Sequence, residues 1–77
     1  MSRPKLDTID SAIAANLDAL SHRLAQAYTL ALSGAAAMAE GRRNLAIGTV
    51  LDLERTLPEI QALFNAALAL HRGKGSE

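Results

Sequence analysis

Hydrophobic residues recur along the chain at alternating steps of three and four, the spacing that places side chains on one face of a helix. In the first half this stripe comprises Leu6, Ile13, Leu17, Leu20, Leu24, Ala27, Ala31, Gly34 and Met38. In the second half it comprises Ala46, Val50, Leu53, Leu57, Ile60, Phe64, Ala67 and His71. Two such stripes predict two long amphipathic helices that pack along their length.

The strongest interruption between the two stripes is Glu40-Gly41-Arg42-Arg43-Asn44. Glycine tolerates the left-handed conformation that ends a helix, and asparagine is a good first cap for the next one. The sequence therefore predicts an all-α antiparallel hairpin, with a helix over about 6–40, a turn over 41–44 and a helix over about 44–72. A competing break at Ser33-Gly34 would leave arms of unequal length, so the later turn is preferred.

Pro58 interrupts the second predicted helix. Proline removes one backbone hydrogen bond and disfavours helical geometry in the residue before it. Thr56 and Glu59 also have the spacing of a capping box, which marks a helix start. Because the stripe continues through this region, we expect a kink near Pro58; the alternative is a three-helix bundle with a break at 56–58.

The chain is short enough to form a single helical domain over 1–77, with flexible ends at 1–5 and 73–77. At 77 residues, one hydrophobic core contributes only a few kcal/mol of net stability. The sequence has no cysteine, so disulfide bonds cannot supplement that core. Self-association is the remaining common solution.

Apolar residues outside the two stripes support that solution, because a hairpin needs only one apolar stripe on each helix. Helix 1 is apolar around almost its whole circumference over 30–39. We expect two hairpins to pair into a dimeric four-helix bundle. The predicted dimer or partner interface comprises Leu30, Leu32, Ala35, Ala36, Leu45, Leu51 and Leu63. A different protein covering the same residues is the alternative.

Charge disfavours two classes of partner. Eight basic and eight acidic side chains cancel, so no net field draws the chain to nucleic acid or to an anionic membrane. The longest uncharged run, 24–39, is shorter than the roughly 20 residues that span a bilayer. Charges within the first ten residues disfavour a secretory signal, so we expect a cytoplasmic location.

Residues that could carry chemistry are few and scattered. We expect no enzymatic activity, cofactor, metal or small-molecule substrate, because no nucleophile, base and orienting group can be assembled. Asp18 and His22 lie one turn apart, a spacing more typical of a solvated surface pair than of a metal site. Arg42 and Arg43 lie at the predicted start of helix 2, where the helix dipole disfavours cations, which makes them candidate partner-binding residues.

Together these patterns predict a small non-enzymatic protein–protein interaction module. A dimeric helical adaptor, inhibitor or regulatory factor fits the surplus of apolar surface without chemistry. The small size and alanine-rich composition are typical of bacterial or phage regulatory factors. The alternative is a nucleic-acid-binding helical hairpin dimer, but its arginines are dispersed among acidic residues.

Overall fold

The computed structural model describes residues 8–75 and consists of three consecutive helices in that range. Helix α1 spans Thr8–Ala39, α2 spans Arg43–Val50 and α3 spans Leu53–Gly75. Helix α1 forms one arm of an antiparallel hairpin, and α2 with α3 forms the other, bent arm. The predicted all-helical hairpin is therefore confirmed. The predicted flexible end at 1–5 lies outside the described residues, whereas α3 continues beyond 72 to Gly75.

The turn forms at Gly41, as predicted. Gly41 has a φ of 76°, the left-handed conformation that glycine adopts without steric cost. The Gly41 amide donates to the Met38 carbonyl at 2.9 Å, and the Arg42 amide donates to the Ala37 carbonyl at 2.9 Å. These two bonds constitute a Schellman motif, which satisfies the last carbonyls of α1. Helix α1 passes through the competing break at Ser33-Gly34 without interruption.

The start of α2 differs from the prediction. Arg42, not Asn44, is its N-cap residue, and no side chain makes a cap hydrogen bond there. Asn44 lies inside the first turn of α2. The Schellman motif explains the difference, because it fixes Arg42 immediately after the left-handed glycine, and the Arg42 carbonyl then accepts the first α2 hydrogen bond, from Ala46 at 2.9 Å.

The second arm bends upstream of the proline. Helix α2 ends at Val50, the chain turns through Leu51 and Asp52, and Pro58 lies inside the continuous helix α3. At the bend the Asp52 carbonyl accepts hydrogen bonds from both the amide and the hydroxyl of Thr56, each at 3.1 Å. The predicted bend is present, but it lies at Leu51 and Asp52 and not at Pro58. The alternative break at 56–58 is not found, because α3 is continuous there.

The face that each arm turns towards the other shares about half of its positions with the predicted stripe, and at the other positions the residue before the predicted one faces inward. In α1 the inward positions are Ile9, Ile13, Asn16, Leu20, Arg23, Ala27, Leu30, Gly34 and Ala37. In the second arm they are Ala46, Val50, Leu53, Thr56, Ile60, Leu63, Ala67 and Leu70. Every second residue of the predicted α1 stripe, such as Leu17 and Leu24, is instead exposed.

Polar residues at inward positions explain why the apolar pattern predicted some of the inward residues wrongly. Asn16, Arg23 and Thr56 occupy inward positions, and each is less apolar than the leucine that follows it. Their polar atoms have partners: the Asn16 side-chain amide donates to the Ala12 carbonyl one turn earlier at 2.9 Å, and Arg23 Nε lies 3.4 Å from Glu59 Oε1 on the other arm. Thr56 is buried and Asn16 is half-buried, and polar groups so placed are tolerated when they are hydrogen-bonded.

Gly34 allows the two arms to approach closely near the turn. A Cβ atom built on Gly34 would lie 2.6 Å from Val50 Cγ1 and 3.4 Å from the Ala46 carbonyl oxygen. No real Cβ is tolerated at the first distance, so glycine at position 34 sets the separation of α1 and α2.

The hairpin is a layer one helix thick, and its interior is small. Its shortest principal extent is 12 Å. Within residues 8–75 the buried apolar residues are Ala37, Ala46 and Ala67, and no large side chain there is fully buried. Both broad sides of the layer therefore face solvent in a single chain.

Candidate functional site

Helix geometry sorts the exposed residues onto the two broad sides of the hairpin. Successive residues in an α-helix are rotated by about 100°, so the residue that follows an inward position and the residue that precedes it lie on opposite sides. Antiparallel helices viewed from one end turn in opposite senses. The residues that follow inward positions in both arms consequently share one side of the hairpin, and those that precede them share the other.

A cleft of about 520 Å³ between the arms verifies this sorting. It is lined by Gln26 and Thr29 of α1, which precede inward positions, and by Asp52 and Arg55 of the second arm, which also precede inward positions. The two arms thus contribute the same class of position to one side. We call this the polar side.

An interaction between the arms borders the polar side. Arg23 Nε lies 3.4 Å from Glu59 Oε1, and its Nη1 donates to Gln26 Oε1 at 3.1 Å. Thr56, which is only 7% exposed, lies at the base of the cleft. Sequence reasoning missed this cluster, because it assigned the inward positions to the neighbouring leucines. One feature of the sequence could have predicted the pair: Arg23 and Glu59 have opposite charges and lie equally far along the chain from the turn at Gly41.

The opposite side is apolar. In the described part of the chain, every large exposed apolar residue except Leu32 and Leu45 follows an inward position. The set comprises Leu17, Leu24, Tyr28, Met38, Ile47, Leu51, Leu57 and Phe64. Both arms contribute to it, with Leu24 50% exposed on α1 and Phe64 46% exposed on α3. We call this surface the apolar side.

The predicted interface residues are divided among four surroundings. Leu30 and Leu63 lie at inward positions and are half-buried within the chain. Ala35 and Leu51 follow inward positions and lie on the apolar side, whereas Ala36 and Leu45 precede them and lie on the other. Leu32 is exposed and lies on the edge of α1 away from the second arm.

Arg42 and Arg43, the predicted partner-binding residues, are exposed at the turn. Arg42 Nη1 lies 3.6 Å from Glu40 Oε1, with both side chains more than 60% exposed. Such an exposed ion pair contributes little, about 0–1 kcal/mol at most. The two guanidinium groups together with Asn44 line a shallow depression at this end of the hairpin.

The remaining polar candidates form isolated pairs. His22 Nδ1 lies 3.9 Å from Asp18 Oδ2, and both side chains are 77% exposed. Across residues 8–75, no three histidine, aspartate or glutamate side chains group in an arrangement that could hold a metal ion. None of the described helices combines the length and the apolar character needed to cross a membrane.

Comparison with known proteins gives no relative: no protein-family model, no curated protein and no solved structure matches this chain. The candidate site therefore stands on its own geometry, which is a two-sided helical layer with a continuous apolar side, a polar side with a cleft, and two arginines at the turn.

Proposed function

We propose that this chain is a small non-enzymatic protein–protein interaction module that acts as a dimer, in the class of helical adaptors, inhibitors and regulatory factors. The observation that carries this proposal is the apolar side. Soluble monomers rarely expose a continuous apolar patch of this extent, and such patches mark interaction surfaces. The cytoplasmic location expected from the sequence is part of the same proposal.

The small interior of the single chain supports the proposal on energetic grounds. Three alanines make up the buried apolar residues of the described part. A chain of this size without disulfide bonds or a metal gains stability mainly by burying more surface, and a four-helix bundle of two hairpins does so. Folding and association are then coupled, as in many obligate dimers.

The turn supplies a second, smaller element of the proposal. Arg42 and Arg43 lie at the start of α2, where the helix dipole makes cations unfavourable, and no side chain caps this helix start. Paired guanidinium groups suit a carboxylate on a partner protein. We assign them to partner contact at one end of the bundle, separate from the apolar side.

The decisive test is the mass of the protein in solution together with what it binds. Multi-angle light scattering over a range of concentrations should give twice the 8.1 kDa of one chain. Affinity purification from the native host should recover a protein partner, and replacing both turn arginines by serine should weaken its capture.

A single-chain mass at every concentration, with no co-purifying protein, would contradict the proposed function. Salt-sensitive retention of RNA or DNA in the same purification would replace it with the nucleic-acid-binding alternative.

A further inference from the structure

We infer that the apolar side is the surface on which a second copy of this chain docks, and that the polar side remains free in the dimer. This inference rests on the proposed function, which already proposes a dimer, and it goes further by assigning the side of each hairpin that the other copy covers. It replaces the mixed set of interface residues that the sequence predicted with residues that share a single side.

The extent of the apolar side matches what a dimer requires. Eight large side chains on this side are about half exposed. With roughly 100 Å² exposed by each, they provide about the 800 Å² that one partner contributes to an interface of standard size. The polar side has no comparable apolar area, because Leu45 is its one large exposed apolar residue among those described.

The shape of the apolar side suits a copy of itself. On α1 the positions that follow inward residues are spaced by alternating steps of four and three from Leu17 to Met38. On α3 Leu57, Phe64 and Leu68 lie at positions of the same spacing, with Gln61 between the first two. Stripes of this period interlock when two helices pack, and stacking two hairpins face to face covers the stripes of both arms at once.

Charge also favours a second copy as the occupant. Along α1, the apolar side carries no charged residue between Ala14 and Met38, and α3 places one carboxylate on it, Glu54, which follows the inward Leu53. The whole chain has a formal net charge of zero, so two copies do not repel one another. The charged groups of the cleft, including Arg23, Arg55 and Glu59, lie on the other side and stay hydrated in the dimer.

Adjacent residues of α2 provide a matched pair of variants. Ala46 is 4% exposed and faces α1. Ile47 follows it and is 54% exposed on the apolar side, while Leu45 precedes it and is 48% exposed on the other side. Ile47→Glu and Leu45→Glu therefore add the same charge, in the same helical turn, at similar exposure. Their main difference is the side of the hairpin that receives it, beside a smaller effect of the helix dipole, which favours a carboxylate at position 45 in the first turn of α2.

The experiment compares both full-length variants with the parent chain by light scattering and circular dichroism over the same concentration range. We expect Leu45→Glu to keep the dimer mass and the helical signal. We expect Ile47→Glu to shift dimer dissociation to at least 100-fold higher concentration, or to unfold if folding depends on association; either result supports the apolar side.

The outcomes separate this inference from the proposed function. If the parent chain is dimeric and both variants, or neither, dissociate, or if Leu45→Glu alone dissociates, the assignment of the side is wrong and the dimeric module stands. If the parent chain is a monomer whose apolar side binds a different protein, the second copy is the wrong occupant. If the parent chain is a monomer that binds no protein, the proposed function fails as well.

Discussion

The two broad sides of this hairpin are built from the same two arms, yet they differ in the large side chains that they present. The apolar side presents leucine, isoleucine, tyrosine and phenylalanine from both arms. The polar side presents Gln26, Thr29, Asp52 and Arg55 around a cleft. Because the layer is only 12 Å thick, no third element separates the two surfaces.

The difference between the sides arises from a single step along the helix. Leu24 and Gln26 are only two residues apart. Leu24 follows the inward Arg23, whereas Gln26 precedes the inward Ala27. A rotation of about 100° in either direction is enough to place a residue in an apolar or a polar surface. Association and solvation can therefore be altered separately by neighbouring substitutions, which the following predictions use.

The largest change in stability is expected at the close contact between Gly34 of α1 and Val50 of α2, on which both sides of the hairpin depend. Gly34→Leu would drive a side chain into Val50, since even a Cβ at position 34 would lie 2.6 Å from Val50 Cγ1. We expect a loss of about 3 kcal/mol or more in the free energy of unfolding, because overpacking at a rigid contact is costly. Urea denaturation followed by circular dichroism measures it.

A double-mutant cycle isolates that contact. Gly34→Ala alone combines a better helix former with the clash, whereas Val50→Ala removes the methyl group that the new side chain would meet. The double variant should be more stable than the sum of the two single changes predicts. Additive effects would show that the approach of α1 to α2 does not depend on glycine.

The next effect in size distinguishes the two sides on α1. Leu24→Glu places a charge on the apolar side, and Gln26→Glu places the same charge on the polar side, near Arg23 and Arg55. We expect the leucine variant to weaken self-association at least about 100-fold, because each dimer loses two buried leucine side chains worth about 1.5–3 kcal/mol apiece.

Sedimentation equilibrium of both variants measures this difference. The glutamine variant should associate as the parent chain does. Equal weakening by the two variants would mean that the two sides of α1 are not distinct in the assembly.

A smaller, stabilising effect is expected at Gly48, which is exposed inside α2. A Cβ at this position meets no atom within 4 Å, and its backbone does not have a positive φ. Gly48→Ala should therefore raise the free energy of unfolding by about 1 kcal/mol, the difference in helix propensity.

Thermal unfolding checks this prediction, with Gly41→Ala as its control. The control should instead lose about 1 kcal/mol or more, because the Gly41 backbone has a φ of 76°. A destabilised Gly48→Ala would indicate that this surface is covered in the assembly.

The smallest effect is expected at the ion pair beside the cleft. Arg23 and Glu59 are joined at 3.4 Å, but their side chains are 44% and 41% exposed. Arg23→Ala should cost at most about 1 kcal/mol, since solvent screens such pairs. A larger loss that persists at high salt would show that Arg23 acts through packing of its aliphatic stem across the arms.

Local features of the sequence predicted the helices and the reversal. The alanine- and leucine-rich composition favours helix throughout, and Gly41 ends α1 with the left-handed conformation that was expected of it. The bend was also predicted, but at Pro58. It lies at Leu51 and Asp52 instead, since Pro58 is accommodated inside α3 on an exposed face.

The interface residues were predicted as a mixture because the sequence has apolar residues at adjacent helical positions. Leu30 and Leu63 face inward, Leu51 lies on the apolar side and Leu45 on the other. Surplus apolar residues can be counted from a sequence. The side on which each one lies depends on which neighbour faces the other arm, and that is not a local property.

The sequence alone thus determined two helical arms and the glycine at which they reverse, because propensity and left-handed backbone geometry act within a few residues. The tertiary structure decided which of two adjacent stripes faces inward. Contacts between distant residues made that choice: Gly34 packs against Val50 at positions common to the predicted and the observed face, and Arg23 pairs with Glu59 where the two differ. Several large apolar residues of the predicted stripes, among them Leu17, Leu24 and Phe64, are consequently left on the outside.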